Sequence, residues 1–282
     1  MMRFLTFFSV ITAVLLSGCL EIPSQETLST NEGTRLVDHC PEVVPAIRQQ
    51  GGDLKTTFRI TSWNMNKFQR AGWQQELNAW AKRSDLLLLQ EAMERPALHQ
   101  LLQQAHFNWL QLQAFRLEGE ATGVVNAAPA AALYNCSLRE PEPVSRLPKS
   151  TLLTLYPLDG SSYPLLVVNV HGVNFELGMA AYRRQMTRLF HLAKRYPGPT
   201  VLAGDFAAWG NKRSHYLLQL AQQSGFDEVI PAPDVRLRVL SEPVDHIFYR
   251  KLNLQQSESK STHTSDHNPL WAEFSVVKNP VR

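Results

Sequence analysis

The chain has 282 residues, 44% of them hydrophobic and 19% charged, and a formal net charge of +3. This is the composition of a globular protein with length for a large core, and no break in composition divides it into two domains. The mild positive charge permits a polyanionic partner without demanding one, and it lacks the dense basic stripe of a dedicated nucleic-acid binder.

The chain opens with MMRFLTFFSVITAVLLSGC, which carries one cation, Arg3, and an apolar run from Phe4 to Leu16. That run is shorter than the roughly 20 residues that span a bilayer, and small residues precede Cys19, so residues 1–18 read as a secretory signal. The ending Leu16-Ser17-Gly18-Cys19 resembles the bacterial lipobox, in which the cysteine is lipidated and becomes the first mature residue; an ordinary signal peptide or an uncleaved anchor is the alternative. Leu20 stands where an aspartate would signal retention in the inner membrane. The expected location is therefore the bacterial cell envelope, lipid-anchored at the outer membrane and facing the periplasm. With Cys19 assigned to lipid, Cys40 and Cys136 remain. In an oxidising compartment they either pair, closing a loop of ~95 residues worth up to ~4–5 kcal/mol, or persist as buried thiols. No CxxC spacing supports a metal site at either cysteine.

Residues 19–55 are rich in Ser, Thr, Pro, Gly and Glu with little periodicity, and read as a tether with a short helix near Val43–Gln50. Residues 56–282 read as one folded domain. FRITSW, Phe58 to Trp63, has the pattern of a strand. Gly72 to Arg83 has helical spacing, with Trp73, Leu77 and Trp80 on one face. DLLLLQEA is too apolar for a half-wet sheet and predicts a strand buried on both faces. A helix follows at Pro96–His106, with proline at its start. WLQLQAF alternates as a half-buried strand does. Further strands are predicted at Ala130–Asn135, Thr151–Tyr156, Leu165–Val170, Val201–Phe206, Val244–Tyr249 and Leu270–Val276. The later helices are Met179–Tyr196 and Ser214–Ser224, and Glu140–Pro148, with three prolines, reads as a loop. The sum is an α/β domain.

Several strands end on a polar residue where an apolar one would cost less: Asn64, Glu91, His171 and Asp205, joined by Asp245 and His246 in PVDHIF and by Asp266 and His267 in HTSDHNPL. In α/β sheets such ends converge on the ligand crevice. Asn64, Glu91 and Asp266 offer hard oxygen ligands with no thiolate nearby, which selects Mg²⁺ or Mn²⁺ over zinc. His171 and His267 supply acid–base or anion-stabilising groups, and Asp205 and Asp245 are suited to orienting water and a histidine. Together these are the parts of metal-assisted attack of water on a phosphoester.

The blocks SWN, LLLLQE, NVHGVNF, LAGDF, VDHIF and SDHNPL, in this order from about Arg59 to Phe274, resemble the endonuclease/exonuclease/phosphatase superfamily of DNase I-like fold. The run HGVNF, with a tryptophan after GDF, looks closest to the bacterial YafD-like branch. The resemblance implies a four-layer α/β sandwich, two packed mixed sheets flanked by helices, with the site at one edge. It implies Asn64 and Glu91 as metal ligands and Asp266 as a further direct or water-mediated one. It also implies His267 on the scissile phosphate oriented by Asp245, Asp205 as aligner or base of the attacking water, and His171 on the phosphate or leaving group. Glu94, Asn169, Asn174 and His246 are nearby, with supporting roles.

One position departs from the family pattern. Members usually carry asparagine two positions past the aspartate of GDF, donating to the phosphate, and this chain has Ala207. Loss of such a donor typically costs ~10²–10³-fold in rate. Either the enzyme is slower, or Asn174 or Asn211 substitutes, or the chain has become a binding module. Asn211 would need its loop to fold back. The rest of the motif is intact, so the leading reading is a monomeric, metal-dependent phosphodiesterase acting on nucleic acid, with a lipid or small phosphoester as the alternative substrate. The rim separates these: a nuclease needs a basic groove with stacking aromatics, a lipid enzyme exposed apolar loops. Arg183, Arg184, Lys194 and Arg195, and Lys212 with Arg213, are candidate basic clusters, and Lys149 is a candidate phosphate contact.

Overall fold

The apolar run Leu86–Met93 is buried along nearly its whole length, because it is an interior strand of a nine-stranded mixed sheet. It lies parallel to Thr57–Asn64, with Asn64 opposite Gln90. Leu270–Val276 and the edge strand Leu252–Ser259 extend the sheet on one side. Glu120–Ala128, Asn108–Leu117 and Thr27–Thr30 extend it on the other. The computed structural model describes residues 20–277; the expected signal sequence and Cys19 lie outside them. A second, six-stranded sheet is built around the parallel pair Leu165–His171 and Thr200–Asp205, with Asp245–Arg250 beside the latter.

The two sheets face each other across a core that includes Phe58, Ile60 and Leu88 from one and Val167, Val201 and Ile247 from the other, all fully buried. Helices Trp73–Ala81 and Pro96–Gln104 cover the outer face of the first sheet through Trp73, Leu77, Trp80 and Leu98. Helices Ala180–Arg195 and Gly210–Gln223 cover the second through Tyr182, Met186, Phe190 and Leu217. This is the four-layer sandwich that the sequence implied.

Two expectations need correction. Residues 20–55 are not a free tether. Thr27–Thr30 pairs with Asn108–Leu117, Leu28 is fully buried, and Cys40 is joined to Cys136 by a disulfide next to buried Val44. The stretch near Val43–Gln50 is irregular, not helical. Its isolated apolar residues each fill one place in a core built elsewhere, so no period marks them. Two strands were also overlooked. Glu120–Ala128 is interrupted by a glycine because a Cβ at Gly123 would lie 1.8 Å from the Leu112 carbonyl oxygen, beside a register shift between Gln113 and Phe115. Leu252–Ser259 is polar because it is an edge. Among the described residues no helix is long and apolar enough to cross a membrane.

The disulfide closes a loop of 96 residues and ties the N-terminal segment to the edge of the second sheet. Removing it by Cys40→Ala with Cys136→Ala should lower unfolding free energy by ~4–5 kcal/mol, read from urea melts against wild type without reductant.

Candidate active site

The register of the second sheet sets the site. His171 pairs with Asp205, and Asp205 pairs with Asp245, so three polar residues lie abreast on neighbouring strand ends. Gly204 makes this approach possible: its φ is 144°, and a Cβ there would lie 2.0 Å from the Val170 carbonyl oxygen. From the first sheet Asn64 reaches across, its Nδ2 donating to Asp205 Oδ2 at 3.1 Å. The other Asp205 oxygen accepts the Ala207 backbone N–H at 2.8 Å. Asp205 is thus aimed by a side chain of one sheet and a backbone turn of the other.

His267 stands opposite. Its Nδ1 lies 2.8 and 3.0 Å from the two oxygens of buried Asp245, and its Nε2 lies 3.9 Å from Asp205 Oδ2. The backbone is pinned as well, since Trp63 Nε1 donates to the His267 carbonyl and Ser265 Oγ to the Asn64 carbonyl. Burial pulls the imidazole downward, but the charge and hydrogen bond of Asp245, with Asp205 and Asp266 beyond, push it up to about 10. For Asp245, burial and the Asp205 charge raise the carboxyl above its ordinary value against the pull of His267; two oxygens within 3.0 Å of Nδ1 decide for a charged pair. His267 is therefore an imidazolium at neutral pH, a donor to an anion and not a base.

Glu91 forms the other half. Its Oε2 accepts from Lys67 Nζ, and its Oε1 lies 3.5 Å from His171 Nε2, which is 3.0 Å from Lys149 Nζ. Burial raises the Glu91 carboxyl, yet the His171 hydrogen bond and the charges of His171, Lys67 and Lys149 hold it well below the carboxylate range. His171 is pushed down by burial and then by Lys149, against Glu91 and Asp205; it is the neutral histidine of the site. Backbone strain accumulates here. Asn66, Lys67 and Phe68 form a turn with φ of 44°, 54° and 56°, and Glu91 has φ 47°. Such conformations cost of order 1 kcal/mol or more each and persist where surroundings enforce them, often at functional sites.

The structure joins Glu91, His171, Asp205, Asn64, His267 and Asp245 through these contacts. Asp266 is exposed at the edge, its Oδ1 3.3 Å from Ser265 Oγ. His246 is spent elsewhere, on Glu228 and the Pro243 carbonyl. Asn169 bridges the sheets, taking Gln90 Nε2 and donating to the Leu89 and Val125 carbonyls. Lys149 lies in strand Pro148–Tyr156. Arg213 is buried between the rings of Tyr182 and Trp209 and donates to the Val173 and Ala207 carbonyls, so it is not a surface partner of Lys212. Lys67, Glu142 and Gln185, whose Nε2 donates to the His171 carbonyl, escaped sequence reasoning; Glu142 sat in a proline-rich stretch, and its role depends on a loop 32 residues away.

The profile of the Endonuclease/Exonuclease/phosphatase family matches residues 61–267, from the end of strand Thr57–Asn64 to the site imidazole. The chain belongs to that family. A UPF0294 protein of Klebsiella pneumoniae (strain 342) is 40% identical over 236 residues, 84% of this chain and 88% of the relative. An endonuclease/exonuclease/phosphatase from Beutenbergia cavernae DSM 12333 superposes with a TM-score of 0.62 at 16% identity, covering 78% of this chain and 72% of its own. ANGEL2, a 2',3'-cyclic phosphatase solved with adenosine-2',3'-vanadate, gives 0.62 at 15%, covering 83% and 99%. D. rerio TDP2, solved with a single-strand DNA product, gives 0.58 at 15%, covering 78% and 99%. These structures share this chain's fold.

The family resemblance implies a divalent ion, and the donors can be tested for it. Glu91 and Asn64 supply hard oxygens from adjacent strand ends, and Mg²⁺ is commonly held by one or two carboxylates with water completing its shell. That fits. The fit is lean: Glu91 is shared with Lys67, Asn64 turns its amide nitrogen toward Asp205, and among the described residues no three His, Cys, Asp or Glu side chains converge on one cation position.

The Asp245–His267 pair yields a pH prediction. An imidazole raised to about 10 in the fold against an ordinary 6.5 stabilises fully below about 6.5, and that stability is lost as pH rises through about 10. The stability gap between wild type and Asp245→Asn, read from urea midpoints, should therefore close as pH climbs through about 10.

Proposed function

We propose that this chain hydrolyses phosphodiesters by in-line attack of water on phosphorus, with Mg²⁺ or Mn²⁺ as cofactor. The supporting observation is the 3.9 Å gap between Asp205 Oδ2 and the protonated Nε2 of His267, beside the cationic Lys149–His171 pair. A phosphate oxygen placed at that gap takes the His267 hydrogen bond. Asp205, held by Asn64 and the Ala207 N–H, receives a proton from the attacking water. The new O–P bond forms as the P–O bond to the leaving alcohol breaks, and the leaving oxygen takes its proton from the Lys149–His171 pair. Glu91 and Asn64, with Asp266 as an outlying oxygen, would hold the metal ion, which supplies Lewis-acid stabilisation of the phosphoryl oxygens.

Ala207 lines a cavity of about 280 Å³ together with Asp205, His267 and Asn174. Asn174 spends its side-chain oxygen on the Trp209 indole N–H, which leaves its Nδ2 as a donor in the cavity. Asn211 instead lines the neighbouring cleft across Trp209. We therefore assign the missing donor's role to Asn174. Lipid attachment at Cys19 and the bacterial envelope location belong to the same proposal, supported by the lipobox-like ending, as do a monomer and the YafD-like branch. Nucleic acid and lipid are the competing substrates of this chemistry.

Asp205→Asn should lower kcat on bis(p-nitrophenyl) phosphate by about 10³-fold or more, and EDTA should abolish turnover until Mg²⁺ or Mn²⁺ is returned; full activity in chelator would refute the cofactor assignment. Asn174→Ala should cost about 10²-fold, and Ala207→Asn in that background should restore it. Ala207 has φ 49°, a conformation asparagine tolerates better than alanine, so the rescue should not destabilise the fold.

A further inference from the structure

We propose that the mouth of this site docks on a phospholipid bilayer and that its substrate is a phosphodiester carried by a bilayer lipid, an inference that rests on the hydrolytic reading above. Three observations converge on it.

The first is the rim. Val144, Phe175, Leu177 and Leu240 are 62, 58, 97 and 70% exposed. Val144 and Phe175 are joined by a backbone hydrogen bond, and Phe175 lines the cavity that holds Asp205 and His267. These loops are held firmly. Buried Glu142 accepts the N–H groups of Asn174 and Phe175 at 2.8 and 2.9 Å and the Ser145 hydroxyl. Glu176 caps helix Ala180–Arg195 through the N–H groups of Ala181 and Tyr182 and pairs with Arg213. Leu240 occupies the tip of the hairpin between Arg238–Val239 and Glu242–Pro243 with φ 52°, and Ser241 follows with φ 72°, a turn that favours asparagine and glycine. Apolar side chains gathered at a site mouth mark an interaction surface.

The second is the composition of the clefts. The 280 Å³ cavity is walled by Phe175, Leu237, Val239 and Val244 beside the reacting groups. Across Trp209, a cleft of about 840 Å³ is lined by Met179, Ala180 and Leu240 together with Arg183, Lys212 and Arg213. Apolar walls combined with cations match a lipid held by its phosphate with its acyl end in the bilayer. Nucleic acid fits less well, because it needs stacking faces along a cationic track. Trp209 has Arg213 over its ring and its indole N–H tied to Asn174.

The third is where the N-terminal segment joins. Leu20 pairs with Leu117, at the end of the sheet where Met93 pairs with Thr122, which is the end where Thr57–Asn64 and Leu86–Met93 deliver Asn64 and Glu91. Three strand spacings, about 15 Å, separate Leu20 from the Glu91 strand. Cys19, to which lipid attachment is assigned above, is the residue just before it. A membrane attachment there faces the site end of the sandwich toward the bilayer.

The test uses the full chain reconstituted into vesicles of phosphatidylglycerol and phosphatidylethanolamine, and measures water-soluble phosphate released from the lipid. Bis(p-nitrophenyl) phosphate and a single-stranded DNA oligonucleotide are assayed in parallel. Leu177→Asp and Val144→Asp, at exposed positions lining neither cavity, should each lower vesicle-lipid turnover about tenfold and leave the soluble ester within about twofold. Wild type that cleaves the oligonucleotide but not the lipid overturns the bilayer inference, as does an unchanged ratio of lipid to soluble-ester turnover in the variants; in either case turnover of the soluble ester keeps the hydrolase reading. Wild type inert on all three substrates overturns the hydrolase reading and this inference with it.

Discussion

Asp205 and Asp245 are paired residues on adjacent strands, both buried, and two carboxylates so placed repel each other unless a cation stands between them. His267 is that cation. Its imidazolium grips Asp245 and faces Asp205, and this balance of charge fixes the geometry of the rest. The same logic repeats at Glu91, compensated by Lys67 and the Lys149–His171 pair, and at Glu176, compensated by Arg213. Each buried acid is costly alone and stable within its network, so the site is a set of linked charge balances, not a row of independent residues. Truncating one member leaves its partner charged and unpaired.

The balance also divides the two histidines. His267 is driven up by three aspartates, Asp245 first, while His171 is driven down by burial and by Lys149. One imidazole is thereby reserved for holding an anion and the other is left neutral. Residue type is the same in both cases; the neighbours make the difference, and those neighbours arrive from strands far apart in sequence.

This explains what the sequence could reveal. Strands buried on both faces announce themselves by uninterrupted apolar runs, and LLLLQE and VLAGD were legible for that reason, as were the polar residues that end them. Asn64, Glu91, His171, Asp205, Asp245 and His267 all meet at one end of the sandwich. Asp266 sits at its exposed edge. Lys67 was hidden because in NMNKF only Asn66 is a residue type that favours a left-handed turn; the positive φ of three successive non-glycine residues aims its ammonium at Glu91. Leu28 and Val44 were hidden because a segment that contributes one side chain at a time to a distant core has no period to detect.

Lys67 bears on the chemistry in a way that the motif pattern does not. A tethered ammonium on Glu91 neutralises one negative charge, so a divalent ion that takes the same oxygen must displace it or share the carboxylate. The strained turn Asn66–Phe68 gives the ammonium a fixed approach but little packing of its own, since within it only Phe68 is buried, stacked on Trp73. Breaking the Lys67–Glu91 pair is therefore part of what a divalent ion at this carboxylate would cost, and in the proposed reaction its affinity would depend on Lys67 as well as on Glu91.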